Sequence, residues 1–184
     1  MRRFYFATDG IRFDALTRHL EACWAASGAQ GWYALLDQAF DAPKGSPDWG
    51  LPRHGLYAET PLNQLCESGP LLLELGGPGV LRGPALRQLW AHTLGRPMLS
   101  FLKVAHGIDA LLSAWRHALE VRLDDGQSFV LRLADTRVLE YLPRCLKPGH
   151  WAMLRHPVEQ WWFVDRTGGA TGLAWRAGRH RTGR

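Results

Sequence analysis

The stretch "LEVRLDDGQSFVLRLADTR", residues 119–137, contains two strand-forming runs with a tight turn between them. Apolar and polar residues alternate in both runs, which are joined through Asp124, Asp125 and Gly126. Asp and Gly suit the turn of a hairpin because they tolerate its unusual backbone angles. The stretch therefore predicts a β-hairpin, followed by a helix over residues 136–145.

Charged residues at the end of this stretch need partners. Arg132 lies within an apolar run, so its guanidinium must find an acceptor or reach solvent from a half-buried face. Asp135 is placed either to accept from Arg132 or to cap the following helix. Arg137 falls in the first turn of that helix and gains nothing from the helix dipole, so we expect a carboxylate partner, with Asp37 as one candidate. We interpret these charges as stabilising the fold, in preference to forming a ligand or partner site.

Strands and helices alternate along the rest of the chain. Apolar runs predict four buried strands outside the hairpin, in residues 32–36, 70–75, 96–104 and 160–166. Apolar residues at three- and four-residue steps, or start and stop signals, predict helices in residues 13–26, 60–69, 84–95 and 108–119. From this order we expect an α/β fold in a single domain. Its mixed sheet is expected to be parallel in its first half, to carry the β-hairpin in its second half, and to be flanked by helices.

The length of 184 residues fits one domain with a substantial core. We divide the chain into an N-terminal helical segment packed on the domain (1–30), the α/β domain itself (31–166) and a basic flexible tail (167–184). The net charge of +5 owes much to arginines crowded at the end of that tail, and basic residues do not collect on one helix. This distribution argues against a nucleic-acid partner.

Cysteine usage and hydropathy indicate the cellular compartment of the protein. Cys23, Cys66 and Cys145 lie far apart and form no C-x-x-C pair, which argues against a disulfide scaffold or a structural zinc site. The opening segment lacks the apolar core of a signal peptide, and no stretch approaches the roughly 18 apolar residues of a membrane span. We therefore expect a cytoplasmic protein with no membrane partner.

The sequence contains no complete catalytic set. Ser68 lacks the G-x-S-x-G frame, and Cys66 lies within a short predicted helix. His117 and Glu120 are spaced to share a helix face but lack a second pair of metal ligands. The glycine-rich turn 76–83 departs from the known phosphate-binding patterns. We expect no catalytic residue, cofactor or metal. Two alternatives stay open: an enzyme that binds a phosphorylated small molecule at this turn, and a nucleic-acid-binding module that uses the arginine-rich tail.

Three segments carry a family resemblance: "WYALLDQA" (32–39), "GLYAETPLNQLCESGPLLLEL" (55–75) and "LLSAWRHALEVRLDDGQSFVLRLADTRVLEYLP" (111–143). In order and spacing they resemble the bacterial domain-of-unknown-function 4123 family, now regarded as type VI secretion effector chaperones or adaptors. The similarity runs from about Trp32 to Phe163.

The resemblance implies a structural role for the residues that match the family signature. These are Asp37, Gly69, Pro70, Asp125, Gly126, Arg132, Asp135 and Arg137. The chain departs from the family pattern at Thr136, where proline is usual, and at Ala114, where histidine is frequent. Thr136 still suits the first position of a helix that follows an aspartate cap.

The resemblance also implies a function without catalysis. Members hold a toxin effector in the cytoplasm of the producing cell and help to load it onto VgrG, the spike protein of the secretion system. For such a protein we expect an exposed apolar patch that contacts the client. Members commonly carry a variable C-terminal lobe that chooses the effector, and little sequence follows Arg166 here, so either that lobe is minimal or recognition uses the tryptophan-rich region. The candidate partner-binding contacts are Trp151, Trp161 and Trp162.

Overall fold

The computed structural model describes residues 6–28, 30–41, 44–76 and 78–173. The α-helices are α1 (Phe13–Ser27), α2 (Pro84–His92), α3 (Ile108–Ala118), α4 (Thr136–Leu139), α5 (Leu142–Cys145) and α6 (Pro148–Arg155). The strands are β1 (Trp32–Asp37), β2 (Arg53–Gly55), β3 (Pro70–Glu74), β4 (Leu99–Val104), β5 (Glu120–Arg122), β6 (Ser128–Val130), β7 (Val158–Val164) and β8 (Ala170–Gly172). Short 3-10 helices cover Thr8–Gly10, Gln38–Phe40, Asn63–Ser68 and Pro78–Arg82.

Six strands form one sheet in the order β2-β3-β1-β4-β7-β8, and each neighbouring pair is antiparallel. The chain is therefore a mixture of helices and antiparallel sheet, and the prediction of a parallel first half is wrong. Strands β3 and β4 do run in the same direction and are connected through α2, but β1 lies between them and pairs with both. A strand–helix–strand sequence predicts a crossover, but it does not reveal which strand fills the gap.

Strand β1 is the centre of the sheet, and all six of its residues are buried. Alternate residues of the strand face the two helical layers. Ala34 and Leu36 pack in the cluster that contains α1 and α2, whereas Tyr33 and Leu35 pack in the cluster that contains α3 and the helices after it. Burial on both faces explains why this strand is a nearly continuous apolar run in the sequence.

The segment before the sheet is mainly helix α1. Its buried residues Leu16, Leu20 and Trp24 recur at four-residue steps and join the core on one face of the sheet. At the other end, Ala170–Gly172 form an edge strand on β7, within the segment predicted as a flexible tail. The arginines of that tail, from Arg176 onward, lie outside the described residues.

The predicted hairpin is confirmed as β5 and β6, but the prediction that the main sheet carries it is wrong, because these strands form a separate two-stranded sheet. Gly126 has a φ of 85°, and Asp125 Oδ1 accepts a hydrogen bond from the backbone N–H of Gln127 at 3.0 Å. The predicted helix that follows is two short helices, α4 and α5, because Pro143 lies at the start of α5 and has no N–H to continue a helix.

One more prediction needed adjustment, because the predicted helix over residues 60–69 is only the 3-10 helix Asn63–Ser68. The segment before it contains the short strand β2.

Among the residues that the structure describes, no helix combines the length and the apolar character that a bilayer crossing requires.

Candidate partner-binding surface

Asp37 is the buried end of the central strand. Its Oδ1 accepts a hydrogen bond from the backbone N–H of Ala39 at 3.1 Å and so begins the 3-10 helix after β1. Its Oδ2 lies 2.5 Å from Nη2 of Arg132, which follows the hairpin. The aspartate is buried and the arginine side chain is half-exposed, so the pair joins the interior of the sheet to the surface.

Asp135 both caps helix α4 and binds the side chain of Arg137. Its Oδ1 accepts from the backbone N–H of Arg137 at 3.1 Å, so its prediction as the cap of the next helix is confirmed. Its two oxygens also accept from Nε and Nη2 of Arg137, at 2.9 and 2.7 Å. These hydrogen bonds raise the pKa of Arg137. The suggestion that Asp37 pairs with Arg137 is wrong, because Asp37 binds Arg132 instead.

These four residues form a charged cluster: Asp37, Arg132, Asp135 and Arg137. Both guanidinium groups lie 5.6 Å from the ring centroid of Phe40, in the range of cation–π contacts. Two buried carboxylates are thus paired with two arginines whose side chains are about half-exposed. Each carboxylate is engaged by an arginine of the same chain, an arrangement that links the end of β1 to the segment after the hairpin.

Gly69 and Pro70 place strand β3 beside this cluster. A side chain at Gly69 would lie 2.4 Å from Cδ2 of Tyr57, so only glycine fits against that ring. Pro70 pairs with Asp37 in the sheet, and its carbonyl accepts from Leu56 at 2.9 Å. Burial, and then the nearby Asp37 carboxylate, raise the pKa of Tyr57. Six of the eight signature residues therefore gather around the end of β1, and Asp125 and Gly126 form the hairpin turn.

Trp161 is a core residue, which corrects its prediction as a partner contact. Its side chain is 1% exposed, and its Nε1 donates to Ser100 Oγ at 3.0 Å. The ring lies 5.1 Å from that of Trp115, centroid to centroid. Because successive residues of a strand face opposite sides, Trp161 of β7 points into the layer that contains α3.

The other two predicted contacts are partly buried. Trp162 faces the opposite side of the sheet, where its ring meets His19 edge-on at 4.4 Å. Burial there lowers the pKa of His19. Trp151, on α6, packs against the same side of the core as Trp161. The tryptophan-rich region is therefore largely part of the packing, and it does not form the exposed patch that the sequence predicts.

An exposed apolar surface lies instead on the hairpin. Val121 is opposite Phe129 in the register, and Leu119, Leu123 and Leu131 follow at alternate positions, so all five share one face. We call these five residues the hairpin face. It begins in the core at Leu119, which is 2% exposed, and ends at Leu123 and Phe129, which are 45% and 49% exposed. The signal in the sequence was the apolar alternation itself, which continues past the point where the core ends.

Strand β6 pairs with β5 on one side and has no neighbouring strand on the other side in the described part of the chain. Leu123 N–H donates to Gln127 O at 2.8 Å, and Leu131 N–H donates to Leu119 O at 2.8 Å. In an antiparallel pair the intervening residues direct their N–H and C=O groups away from the partner strand. In β6 these are Ser128 and Val130, and every residue of this strand is exposed. The edge and the hairpin face together offer apolar contacts and backbone hydrogen bonds to a polypeptide.

The alternative sites are described only in part. Nδ1 of His117 lies 2.7 Å from the carbonyl of Ser113, and Glu120 belongs to β5. Within the described ranges, no group of three or more His, Cys, Asp or Glu side chains is arranged to hold a metal ion. Residues 78–82 of the glycine-rich turn form a 3-10 helix, whereas Gly77 lies outside the described residues.

Comparison with models of protein families gives a match over most of the chain. The model of a family described as a domain of unknown function, DUF4123, matches residues 32–153, which include β1, the charged cluster and the hairpin. No curated protein and no solved structure matches the chain. Because the matched segment covers more than half of the sequence, the chain belongs to the DUF4123 family.

Proposed function

We propose that this protein is a cytoplasmic adaptor that binds a type VI secretion effector, stabilises it, and promotes its loading onto the VgrG spike. Membership of the DUF4123 family supports a role associated with this secretion system. The charged cluster supports a role without catalysis, because its carboxylates are neutralised by arginines of the same chain.

The observation that carries the proposal is the hairpin face. Phe129 and Leu123 remain about half-exposed although their hairpin continues directly from the core. A two-stranded hairpin is marginally stable by itself, and contiguous exposed apolar residues mark places where a partner binds. We assign this face to the effector as the client.

The client segment that fits this surface is an extended strand. Added along β6, it would accept and donate backbone hydrogen bonds at Ser128 and Val130. Alternate apolar side chains of such a strand would pack beside Phe129 and Leu123. This mode of recognition requires little of the client's sequence beyond apolar alternation, which suits an adaptor that protects a segment before delivery.

Co-purification tests the proposal. The tagged protein is co-expressed with the candidate effector and spike proteins encoded beside its gene, and the bound proteins are identified. The double variant Leu123→Ser/Phe129→Ser is compared with Leu94→Ser, whose side chain is also exposed but lies after α2. We expect the parent and the Leu94 variant to retain the effector and the hairpin variant to lose it. An effector that binds all three equally would refute the hairpin assignment, and absence of effector and spike from the parent would refute the adaptor role.

A further inference from the structure

A second surface feature is a cleft between the turn that follows β2 and helix α3. Its volume is about 650 Å³, which is within the range of ligand-binding pockets. Polar side chains dominate its lining: His54, Glu59, Thr60, Asp109, Ser113, Arg116 and His117. We call this the α3 cleft. It shares no residue with the hairpin face or the charged cluster.

Arg116 lines the α3 cleft and is far more buried than its ion-pair partner. Its side chain is only 20% exposed, yet its ion-pair partner Glu59 has a side chain that is 81% exposed. Nη1 of the arginine lies 2.5 Å from Oε2 of the glutamate. Nε of Arg116 is buried and has no hydrogen-bond partner among the described residues. A largely buried guanidinium is therefore paired with an exposed surface carboxylate and keeps one donor without a hydrogen bond.

Two further features converge on the same cleft. Glu59 has a φ of 60°, in the left-handed region that residues with a side chain adopt at a cost. Nε2 of His54 is buried without a hydrogen-bond partner in the part of the chain that the structure describes. Backbone strain and unused polar groups in one concave site are typical of a place where a ligand binds.

We propose that the α3 cleft binds an acidic side chain of a partner polypeptide, whose carboxylate replaces that of Glu59 on Arg116. Because Nε is buried while Glu59 is bound, the guanidinium would turn toward the incoming carboxylate, which then accepts from Nε and one Nη in two parallel hydrogen bonds, a geometry that arginine offers and lysine does not. Glu59 presently contacts one nitrogen, so the replacement gains a hydrogen bond and releases the glutamate from its contact.

Glu59 also indicates which form the ligand takes. It is an acidic side chain carried on a turn, so the partner group that matches it best is an aspartate or glutamate on a turn or strand. Asp109, which also lines the cleft, disfavours a ligand with several negative charges. The inference rests on the geometry of the α3 cleft alone, and it does not require that the hairpin face bind the client.

Nuclear magnetic resonance of the arginine Nε–H groups tests this inference on the full chain. The probe is the peptide acetyl-Gly-Glu-Gly-amide, and the controls are acetyl-Gly-Gln-Gly-amide and acetyl-Gly-Gly-Gly with a free C-terminus. We expect the first peptide to cause a saturable shift of the Arg116 Nε–H signal at millimolar concentration, and the glutamine peptide to cause none. A stronger response to the free C-terminus would overturn the assignment to an acidic side chain.

Variants sharpen the test. Glu59→Gln removes the internal competitor and should strengthen peptide binding roughly two- to fivefold, the factor that corresponds to one exposed ion pair. Glu67→Gln, an exposed glutamate in the neighbouring 3-10 helix, should leave the affinity unchanged. Arg116→Lys keeps the charge and should abolish the response, as monitored on the backbone amides of α3, in a protein whose melting temperature confirms that it is folded. Equal affinity of the Glu59→Gln variant and the parent, or unaltered binding by Arg116→Lys, would overturn the proposal.

Discussion

Arg132 and Asp37 are 95 positions apart in the sequence, and their side chains meet at 2.5 Å. This contact joins the segment that follows the hairpin to the end of the central strand β1. Because Asp37 is buried whereas Arg132 is half-exposed, the arginine serves chiefly to neutralise an interior carboxylate.

We expect Arg132→Ala to lower the free energy of unfolding by about 1–3 kcal/mol, because it leaves the Asp37 carboxylate buried with one fewer hydrogen-bond donor. Urea denaturation measures the loss. Arg122→Ala is the matched control, since its side chain is 75% exposed and lies 3.8 Å from Glu120. The control should change stability by less than about 0.5 kcal/mol. Equal effects of the two substitutions would show that the contact with Asp37 contributes nothing.

Trp161→Ala should lower stability by about 3–5 kcal/mol, because it removes a fully buried ring and its hydrogen bond to Ser100. Trp162→Ala, at the neighbouring but half-buried position, should cost clearly less. Thermal melts monitored by circular dichroism compare the two. A Trp161 variant as stable as the Trp162 variant would contradict the placement of Trp161 in the core.

Two glycines should respond to alanine in opposite directions. Gly69→Ala should destabilise the fold by about 1–3 kcal/mol, since the new Cβ would lie 2.4 Å from the ring of Tyr57. Gly149→Ala, in α6, meets nothing within 4 Å and should stabilise the protein by about 0.5 kcal/mol through helix propensity. Chemical denaturation of both variants checks the contrast, and a neutral Gly69→Ala would show that Tyr57 moves aside without cost.

Asp165 should give a pH-dependent contribution to stability. Burial raises its pKa, but hydrogen bonds from Thr167, Thr171 and the backbone N–H of Gly169 outweigh that effect, so its pKa is lowered. The ionised form therefore stabilises the folded state. This contribution is complete above the unfolded-state pKa of about 3.9 and is lost as the pH falls through the lower folded-state value.

The variant Asp165→Asn checks this assignment while keeping the shape of the side chain. Its melting temperature should lie below that of the parent at neutral pH, and the difference should shrink below about pH 4. A difference that is constant down to acidic pH would mean that the charge of Asp165 plays no part.

Local sequence signals predicted local structure well. The turn at Asp125 and Gly126 was predictable because its backbone angles depend on those residues alone. Helix α3 was predictable because Leu111 and Trp115 lie one turn apart on its buried face. The capping role of Asp135 was also contained within a few residues.

Contacts distant in sequence were harder to predict. Nothing within residues 70–104 indicates that β1 lies between β3 and β4, so the direction of neighbouring strands was wrong. Asp135 was the candidate acceptor for Arg132 and Asp37 a candidate for Arg137, whereas the folded arrangement brings Asp37 to Arg132. The exposed residues of the hairpin face were also missed, because alternation looks the same where the core continues and where it ends.

The central place of β1 has a consequence for synthesis of the protein on the ribosome. This apolar strand emerges long before its neighbours, since β3 begins at Pro70 and β4 at Leu99. Until those residues have been translated, its backbone groups have no partner within the sheet, and such a segment readily associates with other chains. Aggregation is therefore expected to threaten the nascent polypeptide more than the finished domain, and slower translation between these strands would increase that risk.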